Sequence, residues 1–237
     1  MTGIPFIEPE RVAARIQHRI MRPPAVNPHI GIMGRSGTGK DHVSRWLLET
    51  IRPMERTIVL DINYPDGDQV WDGWGNDVSQ LPGHLEDLRY RVIVPMGSDG
   101  RANAEQVLEY AYRVRNVILV LSDIGHITEH QDSRRGMGLG GLVNRLMSEG
   151  RKHRVSVMAL STSASWAESG FKDQPAAFLL GQTTGEMTER FAKIARLPRD
   201  AKIALETLPP REFVYIDYVD GRATIARTKA PNKNDTR

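Results

Sequence analysis

Cysteine is absent from the 237 residues, which excludes disulfides, thiolate zinc sites and a cysteine nucleophile and agrees with a reducing, cytoplasmic setting. Long apolar runs are absent too. Val117 to Leu121, five residues, is as long as any, so no stretch has the length of a membrane-spanning helix. The opening MTGIPFIEPERVAARIQ has no signal-type apolar core. Nor does one sign of charge prevail. Lys and Arg number 32 against 29 Asp and Glu, with a pI of about 9.3. So mild an excess permits nucleic-acid binding and argues for it only where cations cluster. What remains is an ordinary globular balance, 40% hydrophobic and 26% charged. The chain is long enough for one large α/β domain or two small ones.

Residues 8–21 read as a helix. Val12, Ile16 and Ile20 form one narrow stripe, Arg11, Arg15, Arg19 and Arg22 the other side, and Pro23-Pro24 the stop. Such a helix either docks on the main domain with its basic face in water or serves as an interaction arm. Beyond Pro28, short β-branched or apolar runs alternate with helical spacing. Strands are expected at His29–Met33, Thr57–Ile62, Tyr90–Pro95, Asn116–Leu121, Val155–Leu160 and Ala177–Leu180. Helices are expected over 40–52, 102–115, 138–152 and 186–195, and a loop rich in Asp, Gly and Trp over 63–77. Phe213–Tyr218 and Ala223–Ala226 suggest a hairpin around Asp220-Gly221. The alternation predicts a mainly parallel α/β sheet with helices on both faces. The predicted division is an N-terminal helical arm over 1–27, a main domain over 28–228 and a frayed polar tail over 229–237.

Gly34-Arg35-Ser36-Gly37-Thr38-Gly39-Lys40 matches G-x-x-x-x-G-K between a predicted strand and a predicted helix, the setting this motif requires. Its glycines let backbone N–H groups converge on phosphate oxygens, and the helix N-terminus adds partial positive charge. Lys40 supplies a point charge for the β- and γ-phosphates of ATP. The candidate nucleotide-binding segment continues through Asp41 and His42. The residue after the lysine is usually a Ser or Thr that binds Mg²⁺. Here it is Asp41, a carboxylate that is also a hard-oxygen ligand.

The apolar run Val117–Leu121 ends in Ser122-Asp123. Together with the phosphate loop, TIVLD, VILVLSDIGHI and NRLMSEGRKHRVSVMALSTSAS, it resembles the FtsK–HerA family of DNA-pumping ATPases, from about Ile30 to Ala226. Its small size is similar to that of the family's viral genome-packaging members. The resemblance implies a RecA-like P-loop NTPase that hydrolyses ATP with Mg²⁺, assembles as a homo-oligomeric ring and moves double-stranded DNA. In the viral case it also implies capsid or membrane-vertex partners and a virion-associated location. It places Ser122 where the family has its Mg²⁺-binding Asp, and Asp123 where it has the catalytic Glu. Hydroxyl and carboxylate are thus exchanged between the loop and the strand. Asp41 and Ser122, with Asp123 beside them, become the candidate Mg²⁺ shell, and Asp123 the group that polarises water.

The same resemblance matches Ser161 and Thr162 to the family's γ-phosphate sensor, without its glutamine. It matches Arg151, with Arg154 as backup, to an arginine acting on a neighbouring subunit's site. Read without it, Ser161-Thr162 also suit a strand end entering a turn, and Arg151 to Arg154 also offset a helix dipole. Between Asp123 and the next helix lies EHQDSRRGMGLGG. Its Arg134 and Arg135 are candidate DNA-phosphate contacts in a ring channel, or ordinary loop charges. A rival motif, His126-Ile-Thr-Glu-His130, has the H-x-x-E-H spacing of zinc hydrolases. Glu129 would be its base and Glu206 a possible third ligand, but this reading leaves the phosphate loop idle. A nucleotide-gated module with little turnover is the nearer alternative.

Overall fold

The computed structural model describes residues 3–21, 29–51, 56–62, 89–93, 98–128, 137–163, 175–219 and 222–231. Among the described residues eight strands form one sheet in the order β3-β2-β4-β5-β1-β6-β7-β8. They are β1 (His29–Met33), β2 (Arg56–Asp61), β3 (Arg89–Ile93), β4 (Val117–Leu121), β5 (Val155–Ser161), β6 (Pro175–Leu180), β7 (Glu212–Val219) and β8 (Arg222–Lys229). The pairings from β3 across to β6 are parallel, and β7 and β8 add antiparallel strands at one side. The phosphate-loop strand β1 is therefore central, between β5 and β6, and β5 separates it from β4.

Parallel strands buried on both faces need continuous apolar sequence, and the side-chain parity shows both faces in use. Ile30, Ile32, Ile118, Val120, Met158 and Leu160 point to one layer, where α1 (Pro9–Met21) and α2 (Lys40–Thr50) supply Val12, Ile16, Val43 and Leu47. Leu60, Leu119, Leu121 and Val157 point to the other. That layer is built from α3 (Ser98–Val114), α4 (Ile124–Thr128), α5 (Gly140–His153), α6 (Glu186–Ile194) and α7 (Arg199–Thr207).

The expected strands and helices form where the periodicity places them, with ends shifted by a few residues; α3 starts at Ser98 rather than Ala102. Two helices were not expected. α4 has five residues, too few for a periodic signal, and α7 presents its buried side through Leu205 and two small residues, Ala201 and Ala204, which write a weak pattern. The loop over 63–77 and the hairpin tip Asp220-Gly221 lie outside the described residues.

α1 lies against the sheet, with Val12, Ala13 and Ile16 fully buried. Arg11 and Arg15 are exposed, but Arg19 is not part of a solvated face. Its Nη2 donates to Asp217 Oδ1 at 2.8 Å and to the Tyr218 carbonyl at 3.0 Å. Just before α1, the chain runs along β8. Ile7 N donates to the Arg227 carbonyl and Arg227 N to the Pro5 carbonyl, both at 2.8 Å. At the other end, Lys229 closes β8 and Ala230 is buried, its N–H bonded to the Arg211 carbonyl at 2.9 Å. Ordered structure thus reaches past the expected start of the tail.

Candidate nucleotide site

Every parallel strand bordering β1 ends on the same side of the sheet, so its C-terminal loops gather there, the usual ligand position in open α/β sheets. The phosphate loop follows β1, and its neighbours hold it by main-chain bonds. Gly34 N donates to the Ser161 carbonyl at 3.2 Å and Arg35 N to the Gln182 carbonyl at 3.0 Å. The Thr38 carbonyl accepts from Arg211 N at 2.9 Å, and Thr38 Oγ1 donates to the Arg35 carbonyl at 2.9 Å. Two glycines are required by geometry. Gly39 takes φ +87° at the N-cap of α2, and a methyl there would come within 2.8 Å of Arg211 Cγ. Gly34, at φ +153°, lies so near Gly181 that a Cβ would approach its Cα to 3.1 Å.

Lys40 is buried under this loop, and its Nζ donates to the Gly34 and Arg35 carbonyls at 3.0 and 3.2 Å. Burial lowers its pKa, and the carboxylates of Asp41 and Asp123 oppose that shift. The electrostatics therefore join the loop lysine, the acid following it and the acid after β4. Asp123 is pushed above the usual carboxylate range by burial. The charges of His126 and Lys40 and the backbone N–H groups of Gly125 and His126 pull it back. Arg35, Ser36, Gly37 and His42 are exposed around this centre.

Ser122 is buried. Its Oγ accepts from Ile62 N and donates to Asp61 Oδ1, both at 3.1 Å. The end of β2 thus brings a third acid, Asp61, into the row. TIVLD marked the acid in the sequence, but only the β2–β4 register brings it to Ser122. Magnesium is ordinarily held by one or two carboxylates, phosphate oxygens and water. Asp41 and Asp123, whose carboxylates both act on Lys40, and the Ser122 hydroxyl beside Asp61 are oxygen donors of that kind. Among the described residues no group of three or more His, Cys, Asp or Glu could hold a metal ion.

The other candidates fall in different places. Ser161 is buried, and its Oγ donates to the Ser163 carbonyl at 2.7 Å and accepts from Ser163 N at 3.0 Å, closing a turn, while Thr162 is exposed. Arg151 and Arg154 are exposed at the end of α5, beside the start of β5. That is the opposite end of the strands from the phosphate loop, about 20 Å along β5 at strand rise. Glu149 lies on α5, accepting from the Tyr112 hydroxyl and paired with Arg145 at 3.6 Å. Arg134, Arg135, Glu129 and His130 lie outside the described residues, so of the zinc reading's acid and ligand residues the structure places only His126, on α4, and Glu206, on α7. Sequence reasoning missed Arg211, from the turn before β7, because nothing local links it to a loop more than 170 residues earlier.

No protein-family model matches the chain, and no curated protein does. Solved structures do. The DNA-packaging ATPase B204 of Sulfolobus turreted icosahedral virus aligns with a TM-score of 0.61 at 15% identity, covering 87% of this chain and 98% of that one. The genome-packaging NTPase B204 of Sulfolobus turreted icosahedral virus 2, in complex with ATPγS, gives 0.58 at 12% identity over 83% and 95%. VirB4 of Thermoanaerobacter pseudethanolicus gives 0.67 at 10% identity, covering 94% of each. The chain has the P-loop ATPase fold of these proteins. The B204 likeness extends over nearly the whole viral chain, and the FtsK–HerA resemblance read from the motifs is matched at the level of the fold.

Proposed function

We propose that the chain is an Mg²⁺-dependent ATPase of FtsK–HerA type that acts as a ring and moves double-stranded DNA, as a viral genome-packaging motor does. The observation that carries this reading is Lys40, held under the phosphate loop with Asp123 acting on it from the end of β4. ATP seats its β- and γ-phosphates on the backbone donors of Gly34 to Gly39 and on Lys40. Asp41 and Ser122 would hold Mg²⁺, with Asp61 orienting the Ser122 hydroxyl by accepting its hydrogen bond. When bound, Mg²⁺ neutralises charge developing on the phosphate oxygens. Asp123 accepts a hydrogen bond from the attacking water and aligns it with the γ-phosphorus. Its raised pKa makes it a better proton acceptor than an ordinary carboxylate.

Arg151, at the far end of the strands from its own loop, acts instead beside the γ-phosphate of a neighbour in the ring; its exposure there supports that reading. Arg115 and Arg154, also exposed at that end, add cations to the surface a neighbouring triphosphate would meet. Arg134 and Arg135 are assigned to the DNA backbone. The likeness to B204, a DNA-packaging ATPase, spans nearly the whole of that chain, which supports DNA as the cargo. One observation favours slow turnover: the Ser161 hydroxyl is engaged by Ser163.

The experiment is ATP hydrolysis with and without double-stranded DNA. Lys40→Ala should lose both ATP binding and turnover. Asp123→Asn should bind ATP and not hydrolyse it. Normal hydrolysis by either variant removes the assigned site, and turnover indifferent to DNA removes the motor reading in favour of a nucleotide-gated module.

A further inference from the structure

Pro209, Pro210, Arg211 and Glu212 form a turn closed by Glu212 N to the Pro209 carbonyl at 3.1 Å, with Arg211 at φ +66°. This is a type II turn, with proline at its second position and at its third a left-handed conformation that glycine or asparagine favours. The chain places an arginine there and pins it on both sides. Arg211 N donates to the Thr38 carbonyl, and the Arg211 carbonyl accepts from Ala230 N, each at 2.9 Å. Its stem lies across the loop, with Cγ 2.8 Å from where a methyl on Gly39 would stand. Arg115, Arg154 and Arg196 share a positive φ, but Arg211 alone among them is bonded and packed against the phosphate loop, which keeps its cation beside whatever that loop holds.

Its place in the sheet says which part of the ligand it meets. Asp123 and Ser161 follow β4 and β5, on one side of β1. Gln182 and Arg211 adjoin β6 and β7, on the other. On the proposed ATPase reading, the γ-phosphate lies on the Asp123 side. The nucleoside end of ATP must then leave the loop on the β6–β7 side, over Arg211. A guanidinium is planar and stacks on aromatic faces as an ammonium does not. We infer that Arg211 is a nucleoside-binding residue, which stacks its guanidinium on the base of the bound nucleotide and so makes the site prefer nucleotides over bare polyphosphate.

The test compares ATP with inorganic tripolyphosphate by titration calorimetry on the full chain. Arg211→Gly suits the φ of the turn, so its thermal midpoint should equal or exceed that of the wild type. It should bind ATP at least tenfold more weakly and tripolyphosphate within about twofold of the wild type. Arg211→Asn, which also tolerates this conformation, should repeat the result, and Arg211→Lys, with charge but no plane, should lose most of the same affinity. Equal losses for both ligands, full retention by the lysine variant, or unchanged ATP binding would each overturn the inference. Lys40→Ala separates the two levels. If it loses both ligands while Arg211→Gly loses neither, the phosphate-loop reading stands and Arg211 has no such role. If the wild type binds neither ligand, both fall.

Discussion

His29 opens β1 and is fully buried, with Nδ1 accepting from Val157 N at 3.0 Å and Nε2 donating to the Met147 carbonyl at 2.8 Å. That pairing fixes a neutral ring, and burial, opposed by the bond to Met147, lowers its pKa from 6.5 to about 4. The unfolded chain takes up this proton more readily. The stability it contributes is therefore complete above pH 6.5 and lost as pH falls toward 4, by about 3 kcal/mol in all. Urea unfolding from pH 7 to 4 should show that slope. In His29→Gln the slope should shrink by up to one proton, on a protein already weaker at pH 7. His29 also shows where reading residues from sequence stops. A histidine at a strand start carries no mark of its two bonds, whereas Lys40 could be read directly because strand, glycines and helix surround it in order. Arg211 in the sequence is one more charge after two prolines.

α1 illustrates the same division among elements. Its stripe of Val12 and Ile16 was readable at helical spacing and predicts the packed side. The basic side was uniform in the sequence, and only the fold separates Arg19 from Arg15. Arg19 reaches Asp217 on β7, and both side chains are nearly buried, 12% and 4% exposed. Removing one partner of such a pair leaves an uncompensated charge. Arg19→Ala should cost about 3 kcal/mol in urea unfolding, while Arg15→Ala, in water, should stay within about 0.5 kcal/mol. A similar loss in both variants would mean that the helix is held by general charge and not by this pair. α4 and α7 were illegible for another reason. One is too short to have a period, and the other packs alanines, which pattern reading counts weakly.

For the whole molecule, the alternation of strands and helices was enough to predict a covered parallel sheet, but not its strand order, which long-range pairing decides. The parallel pairing of β1 with β5 puts the exposed Arg151 and the phosphate loop at opposite ends of the strands, so a single subunit has half of the proposed catalytic surface. Arg151→Ala should bind ATP normally and hydrolyse it slower by about 10³-fold. Added Lys40→Ala subunits, which keep Arg151 and lack a working loop, should restore part of the rate in a mixing assay. An unchanged rate in Arg151→Ala, or a mixture no faster than its parts, would count against action across subunits.

The central position of β1 also sets a timetable for synthesis. The phosphate loop is among the first structured parts of the chain to be made, yet the groups that hold it come late: the carbonyls of Ser161 and Gln182 and the N–H of Arg211. A nascent chain of 150 residues contains the complete motif and none of these partners. On the ribosome the motif stays a glycine-rich strand end without its scaffold, and β1 waits for β5 and β6 to enclose it. Non-local pairing of this kind slows folding. On the proposed ATPase reading it also means that a nucleotide is gripped only by a chain whose last strands are already in place, so ATP binding would report completion of the fold.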